Sequence, residues 1–209
     1  MHEIQWLPLF GLSASWLLFG ASHSLLAGEP LERLFGQYSR IAYNLIAVLM
    51  VVLPFGVWAY LPALPLWSEP PQLRWVRHGV TLLAALGFIH TLKYYSLPGF
   101  LGLRHETWPL TFSPWHCWVR HPWYFLMLVA IWAQPLTDTW LVSALCMTLY
   151  LVIGSRMEEQ RILRYHPGSY AAYCKIVPGL LPVQGRALDD ATRLQLEAQA
   201  LTEATPSRI

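Results

Sequence analysis

Residues 120–159 read RHPWYFLMLVAIWAQPLTDTWLVSALCMTLYLVIGSRMEE: two apolar runs joined by a break and closed at both ends by charge. The break falls at Pro135-Leu136-Thr137-Asp138-Thr139, a cluster of turn formers and helix-capping residues. If the turn centres near Thr137, Arg120-His121-Pro122-Trp123-Tyr124 and Arg156-Met157-Glu158-Glu159 flank it, with His121 16 residues before it and Arg156 19 residues after it. At ~1.5 Å per residue they differ by only ~5 Å in height. A helical hairpin therefore folds both polar strings back to one depth.

The rest of the chain shows what surrounds that hairpin. Hydrophobic residues make up 55% of the sequence, charged residues only 12%, and 11 tryptophans are present, with a positive mean hydropathy. That composition belongs to a membrane protein. Residues 4–27, 41–60 and 76–95 match the ~20 apolar residues that a bilayer requires. Residues 122–134 supply only ~20 Å of helix against a hydrocarbon core of ~30 Å, so this arm needs thinning or extra polar turns. The expected fold is all-α: an integral membrane bundle of about five spans, the last two a tight hairpin leaning on the first three. A membrane domain is expected over residues 1–183 and a polar cytoplasmic tail over 184–209.

With five spans and a cytoplasmic carboxyl terminus, 12 of the 14 Lys and Arg residues face inward and only Arg74 and Arg77 fall outside. The positive-inside rule favours that orientation, in a bacterial inner membrane, with the polar cluster on the cytoplasmic side and membrane lipid around the spans. The start Met1-His2-Glu3 lacks a basic n-region, so the first apolar stretch is expected to stay as a span. Cys117, Cys146 and Cys174 have no paired spacing and suggest neither a disulfide framework nor a zinc site. The Pro-rich run 61–71 suits a stiff external connection. Asp189 and Asp190 can cap a short helix through Ala204, but a solvated, partly frayed tail is the expectation there. The net charge of +2 says little about partners, and no nucleic-acid partner is expected.

The cluster has a definite chemistry. Pro122 suits the first turn of a helix, where its missing N–H costs nothing. The free amides of that turn, beside Arg120, attract a carboxylate or a phosphate. Glu158 and Glu159 sit toward a helix carboxyl terminus, where the helix dipole disfavours anions unless a cation or donor meets them. One partner set is local, Glu159 with Arg156 and Glu158 with Arg161, three residues apart on a helix. The other is a ligand with a carboxylate at one end and an amine, sulfonium or vicinal hydroxyls at the other, a description that S-adenosylmethionine satisfies.

Four strings carry a family resemblance: Val119-Arg120-His121-Pro122-x-Tyr124, Arg156-x-Glu158-Glu159-x-x-x-Leu163, Tyr170-x-x-Tyr173 and Val177-Pro178-x-Leu180-Leu181-Pro182. In order and spacing they resemble the isoprenylcysteine and phospholipid methyltransferase superfamily over residues 99–182. Gly102-Leu103-Arg104, the run Ile131-Trp132-Ala133-Gln134-Pro135, and His23-Ser24 look most like its bacterial methanethiol S-methyltransferase-like branch. The resemblance implies an S-adenosylmethionine-dependent methyltransferase without a Rossmann domain, and the chain has no Gly-x-Gly-x-x-Gly run after a strand-like segment. It implies a cofactor pocket lined by Arg120, His121, Pro122, Tyr124, Glu158 and Glu159. Arg156 would orient a glutamate or the substrate, and Tyr170 and Tyr173 would either lid the pocket or, at least as readily, pack as interfacial aromatics. The chain departs from the family pattern at Leu126, where a small residue is usual, at His166-Pro167-Gly168 before the tyrosine pair, and at His105 after Gly-Leu-Arg.

The implied reaction is in-line displacement, with a thiolate attacking a sulfonium methyl group. Positioning and exclusion of water supply the catalysis. A thiol of pKa ~8.5 is mostly protonated at neutral pH, so His105 or His121 is expected to raise the thiolate fraction. A small thiol such as methanethiol is the expected acceptor, with an isoprenylcysteine or a lipid as the alternative. Two other readings stand beside it: a non-catalytic membrane assembly factor, and a haem or quinone protein with His23, His78 and His90 as ligands. The last is weakened because His78 and His90, twelve apart, lie ~120° apart around a helix.

Overall fold

The computed structural model describes residues 6–26, 29–103 and 110–204. It is all-helical, and among the described residues the one β-type pairing is an isolated bridge between Pro65 and Thr137. In chain order the helices are α1 (Trp6–Leu26), α2 (Glu29–Phe35), α3 (Ser39–Tyr60), α4 (Pro71–Thr91), α5 (Leu97–Leu101), α6 (Pro122–Trp132), α7 (Asp138–Tyr165), α8 (Ser169–Ile176) and α9 (Asp190–Ala204).

Among the described residues, three stretches are long and apolar enough to cross a membrane: Trp6–Leu26, Pro30–Tyr60 and Asp138–Tyr165. Their apolar side chains point mostly outward, with Leu7 82% and Leu49 69% exposed, as lipid-facing surfaces require. The expected third span corresponds to α4, whose 21 residues include Arg74, Arg77, His78 and His90 and which is not among those three stretches. The hairpin forms as read, but α6 is shorter still than expected, 11 residues or ~17 Å.

The hairpin turn is held from outside itself. Asp138 Oδ1 accepts the Leu64 amide at 2.9 Å, the Asp138 amide donates to the Leu64 carbonyl, and the Leu66 amide donates to the Leu136 carbonyl. The Pro-rich loop thus clamps the α6–α7 turn, while Thr137 caps α7 by accepting the Trp140 amide at 3.1 Å. Along α7, Ser143 and Ala144 are fully buried and let helices approach closely. The Trp16 indole donates to Ser143 Oγ at 3.0 Å and ties α1 to α7. Gly102 ends α5 at φ +81, and a Cβ there would lie 2.8 Å from Arg40 Cβ, so conformation and space both demand glycine.

The expectation of a frayed tail is corrected. Asp189 caps α9 by accepting the Thr192 amide and hydroxyl at 2.9 and 2.8 Å. Leu196 and Ala200, four apart on one face of α9, are buried, and so is Leu188 just before the helix. Leu188 and Leu196 pack on Phe112, Tyr170, Tyr173 and Val177. From α9, Glu203 accepts the Ser169 amide and hydroxyl at the start of α8, and Glu197 accepts the Phe112 amide. The physical reason is mutual: α8 and the loop before α6 offer an aromatic surface in water, and α9 covers it.

Candidate functional site

Arg120 and His121 stand immediately before α6, which Pro122 opens at its first turn. Their backbone is held by the segment after α8: the Arg120 amide donates to the Pro178 carbonyl at 2.9 Å and the His121 amide to the Gly179 carbonyl at 3.2 Å. Opposite them, α7 extends about 12 Å beyond a hydrocarbon core of ~30 Å and carries Glu158 and Glu159 to the same level. The hairpin brings the two strings together.

The contacts are specific. Arg120 Nε donates to Glu159 Oε1 at 2.8 Å, and Arg120 Nη1 donates to the carbonyls of Val177 at 2.6 Å and Cys174 at 3.2 Å. His121 Nε2 lies 3.0 Å from the same Glu159 oxygen and Nδ1 lies 3.4 Å from Glu158 Oε2. With a carboxylate at each nitrogen, the imidazolium is the form these contacts favour. Burial lowers the His121 pKa, but the hydrogen bonds to Glu158 and Glu159 outweigh it and the net shift is upward. Arg120 behaves in the same way: burial opposes its charge, and the bond to Glu159 more than restores it. The Tyr124 ring stacks on His121, centroids 5.3 Å apart and 14° from parallel.

The two glutamates differ in a way that bears on function. The Glu159 side chain is 13% exposed and enclosed by two cations, whereas that of Glu158 is 49% exposed, with a long contact to His121 and an interaction with the Tyr124 hydroxyl. Glu158 therefore keeps lone pairs directed at whatever enters. The local pairs expected on α7 do not form among the described contacts: the partners of Glu159 come from across the hairpin. Arg156 is exposed and makes no ion pair with either glutamate among the described residues, so the structure does not bring it to the cluster.

The tyrosine pair is placed differently from the expected lid. Tyr173 is 1% exposed, its hydroxyl donates to the His116 carbonyl at 2.7 Å, and its ring packs on Phe112 with centroids 4.2 Å apart. Tyr170 is buried beside it. Both serve the core beneath α9, because the aromatic face turned toward α9 leaves neither ring at the surface. His105 lies outside the described residues.

Two neighbours escaped the sequence reading. His116 Nδ1 accepts the Ser113 amide at 3.3 Å, which assigns the ring proton to Nε2, 3.3 Å from the Tyr95 hydroxyl. Burial and the nearby charge of His121 push the His116 pKa down to about 4. Tyr95 packs at a tilt against Trp123, whose indole donates to Thr91 Oγ1 at 2.7 Å. No motif spacing marks these residues; the tertiary fold alone gathers them. Elsewhere, His23 meets Tyr43 and His90 Nδ1 accepts from the Trp115 indole, so the histidines of the haem reading have separate partners. A cavity of about 590 Å³ lies at the opposite end, between α4 and the exit of α6, lined by Trp67, Val76, Trp132 and Pro135. It is not part of the charged cluster.

Comparisons with known proteins bear on the whole chain rather than on single residues. No family model matches, and no solved structure matches. A methanethiol S-methyltransferase from Pseudomonas sp. strain GM41 is 31% identical over 187 residues, covering 79% of this chain and 70% of the relative. A methanethiol S-methyltransferase 2 from Bradyrhizobium diazoefficiens is 28% identical over 185 residues with the same coverage. One from Mycobacterium tuberculosis is 26% identical over 182 residues, covering 79% of this chain and 74% of the relative. At that identity and coverage, and with apolar helices carrying a paired-charge cluster at one end, this chain belongs to the methanethiol S-methyltransferase family of membrane methyltransferases.

Proposed function

We propose that the protein is an S-adenosylmethionine-dependent methyltransferase of the bacterial inner membrane that methylates a small thiol such as methanethiol. The observation that carries this reading is the pairing of Arg120 and His121 with Glu158 and Glu159 at the mouth of the α6–α7 hairpin. Two cations and two carboxylates suit a ligand that itself carries both signs, and the half-exposed Glu158 has acceptor capacity to spare.

The residues divide the work. Arg120 and the first amides of α6 meet the carboxylate end of the cofactor, since a helix amino terminus and a guanidinium both favour an anion. Glu158 accepts from its amine or ribose hydroxyls. Glu159 holds Arg120 and His121 in place, and Tyr124 stacks on His121 to fix the ring plane. Bound there, the cofactor supplies an electrophilic methyl group on a sulfonium. Arg156 is proposed as a surface cation that draws anions toward the site. The topology that accompanies this reading has five spans, adding α4 and the short α6 to the three long stretches, and a cytoplasmic carboxyl terminus.

Calorimetric titration of the detergent-purified protein with S-adenosylmethionine and S-adenosylhomocysteine tests the cofactor, and headspace detection of methylated methanethiol tests the acceptor. Saturable binding of both ligands, lost at least ~100-fold in Glu159→Gln, is the expected result. Folded protein that binds neither ligand would leave a non-catalytic scaffold.

A further inference from the structure

A second polar group lies among the helices on the α1 and α3 side of the cluster. His23 Nε2, on α1, is 2.6 Å from the Tyr43 hydroxyl on α3. Its other nitrogen, Nδ1, is buried and has no hydrogen-bond partner among the described residues. An unmet polar atom among apolar helices is costly, and an ionisable side chain in such a place is held there by what it does. Aromatic rings enclose it: Phe19 at 5.5 Å, Tyr43 at 4.8 Å and Tyr150 edge-on at 5.6 Å between centroids.

This group connects to the charged cluster along one face of α7. Tyr150, Gly154 and Glu158 are spaced by four residues and share that face. Gly154 leaves a notch there, and a Cβ at that position would stand 3.8 Å from the Tyr124 hydroxyl. Opposite, Gly20 of α1 lets the Tyr150 ring approach, with a built Cβ only 3.3 Å from it. Tyr124 interacts electrostatically with Glu158, Tyr150 and Tyr43, so polar groups of α3, α6 and α7 lie near one another. Arg40 and Arg161 act on Tyr43 from the aqueous end.

We propose that His23, seated by Tyr43, is the base that takes the proton from the thiol acceptor, in an acceptor pocket between α1, α3, α6 and α7. The inference rests on the methyltransferase reading above. Nε2–H donates to the Tyr43 hydroxyl, which leaves the Nδ1 lone pair free. The thiol S–H bond breaks, its proton passes to Nδ1, and the electron pair stays on sulfur. That sulfur forms a bond to the methyl carbon while the methyl–sulfonium bond breaks, and the pair of the broken bond remains on the donor sulfur as a neutral thioether. The imidazolium then loses its proton to solvent. Tyr43 is a positioning residue. The titratable or charged groups around the pair are Tyr43, Arg40, Arg161, Tyr150, Tyr124 and Glu158.

The test compares wild type with His23→Asn, His23→Gln and Tyr43→Phe. Three readouts are taken: S-adenosylhomocysteine affinity, the pH profile of methanethiol methylation, and the ultraviolet thiolate band of ethanethiol added to the S-adenosylhomocysteine complex. The His23 variants should bind S-adenosylhomocysteine within about twofold of wild type yet lose ~100-fold or more in rate at pH 7. Their residual rate should climb tenfold per pH unit toward the pKa of the free alkanethiol, which lies above the ~8.5 of a cysteine thiol, and the thiolate band should vanish below that pKa. A wild-type profile and band in folded His23 variants overturn the inference alone. Wild type that methylates no thiol overturns the proposed function together with it. If neither His23 variant binds S-adenosylhomocysteine, Tyr43→Phe decides: a rate loss of ~10-fold with an altered pH profile supports the pair, and an unchanged profile overturns it.

Discussion

Glu159 holds two cations at once, and its removal should be felt in stability as well as in binding. In Glu159→Gln the carboxylate that joins Arg120 to His121 disappears, which should cost ~2 to 4 kcal/mol and lower the thermal midpoint in detergent. The two histidines near it pull in opposite directions with pH. His121 has a raised pKa, so its contribution is complete below the unfolded value of ~6.5 and is lost as pH rises through the folded value. His116 has a pKa of about 4, so a native state that resists protonation is destabilised progressively as pH falls from ~6.5 toward that value, by about 3 kcal/mol in all. Thermal melts across pH should show both limbs. His121→Gln should flatten the alkaline limb and His116→Gln the acid one; unchanged limbs would remove these residues from the titration. The identity of Arg120, His121, Glu158 and Glu159 was legible from their types and spacing. The pairing was not, because residues three apart on one helix and residues across a hairpin are equally open to a glutamate until the depth of each arm is known.

Among the elements, α9 departs furthest from what the sequence suggested. Its polar composition hides the apolar pair Leu196 and Ala200, which, with Leu188 just before the helix, becomes meaningful only when the aromatic face of α8 is in place to receive it. Leu196→Ala should cost ~2 to 3 kcal/mol, read as a lowered unfolding midpoint, and deletion of residues 184–209 should yield aggregated protein by exposing Phe112, Tyr170 and Tyr173. A truncated chain that stays monodisperse would reduce α9 to an accessory. Gly102 makes a sharper test at the end of α5. Gly102→Ala combines a φ of +81 with a contact at 2.8 Å, so a loss of ~1 to 2 kcal/mol is expected, seen as a drop in melting temperature. The α6–α7 hairpin, by contrast, was readable in advance, because Pro135 and the capping pair Thr137 and Asp138 interrupt an otherwise continuous apolar run.

For the molecule as a whole, the outward-facing leucines of the long helices and the one-sided distribution of Lys and Arg define an orientation that can be checked directly. In a background with Cys117, Cys146 and Cys174 replaced by serine, Ser68→Cys should react with a membrane-impermeant maleimide on intact spheroplasts. Gln184→Cys should react only after permeabilisation. The reverse pattern would invert the topology and move the charged cluster to the other face.

By itself the sequence determined that this is an all-helical membrane protein with a charged cluster at one end of a hairpin. Hydrophobic length, helix capping and residue spacing are local properties, and each segment reports them without its neighbours. The tertiary structure alone decided that Glu159 pairs with Arg120 and His121, that Tyr173 lies beneath α9, and that His23 and Tyr43 meet beside Tyr150. Each of these joins residues 20 or more positions apart in the chain, and the partner of a buried polar or aromatic group is chosen by which surfaces the packed helices leave for it.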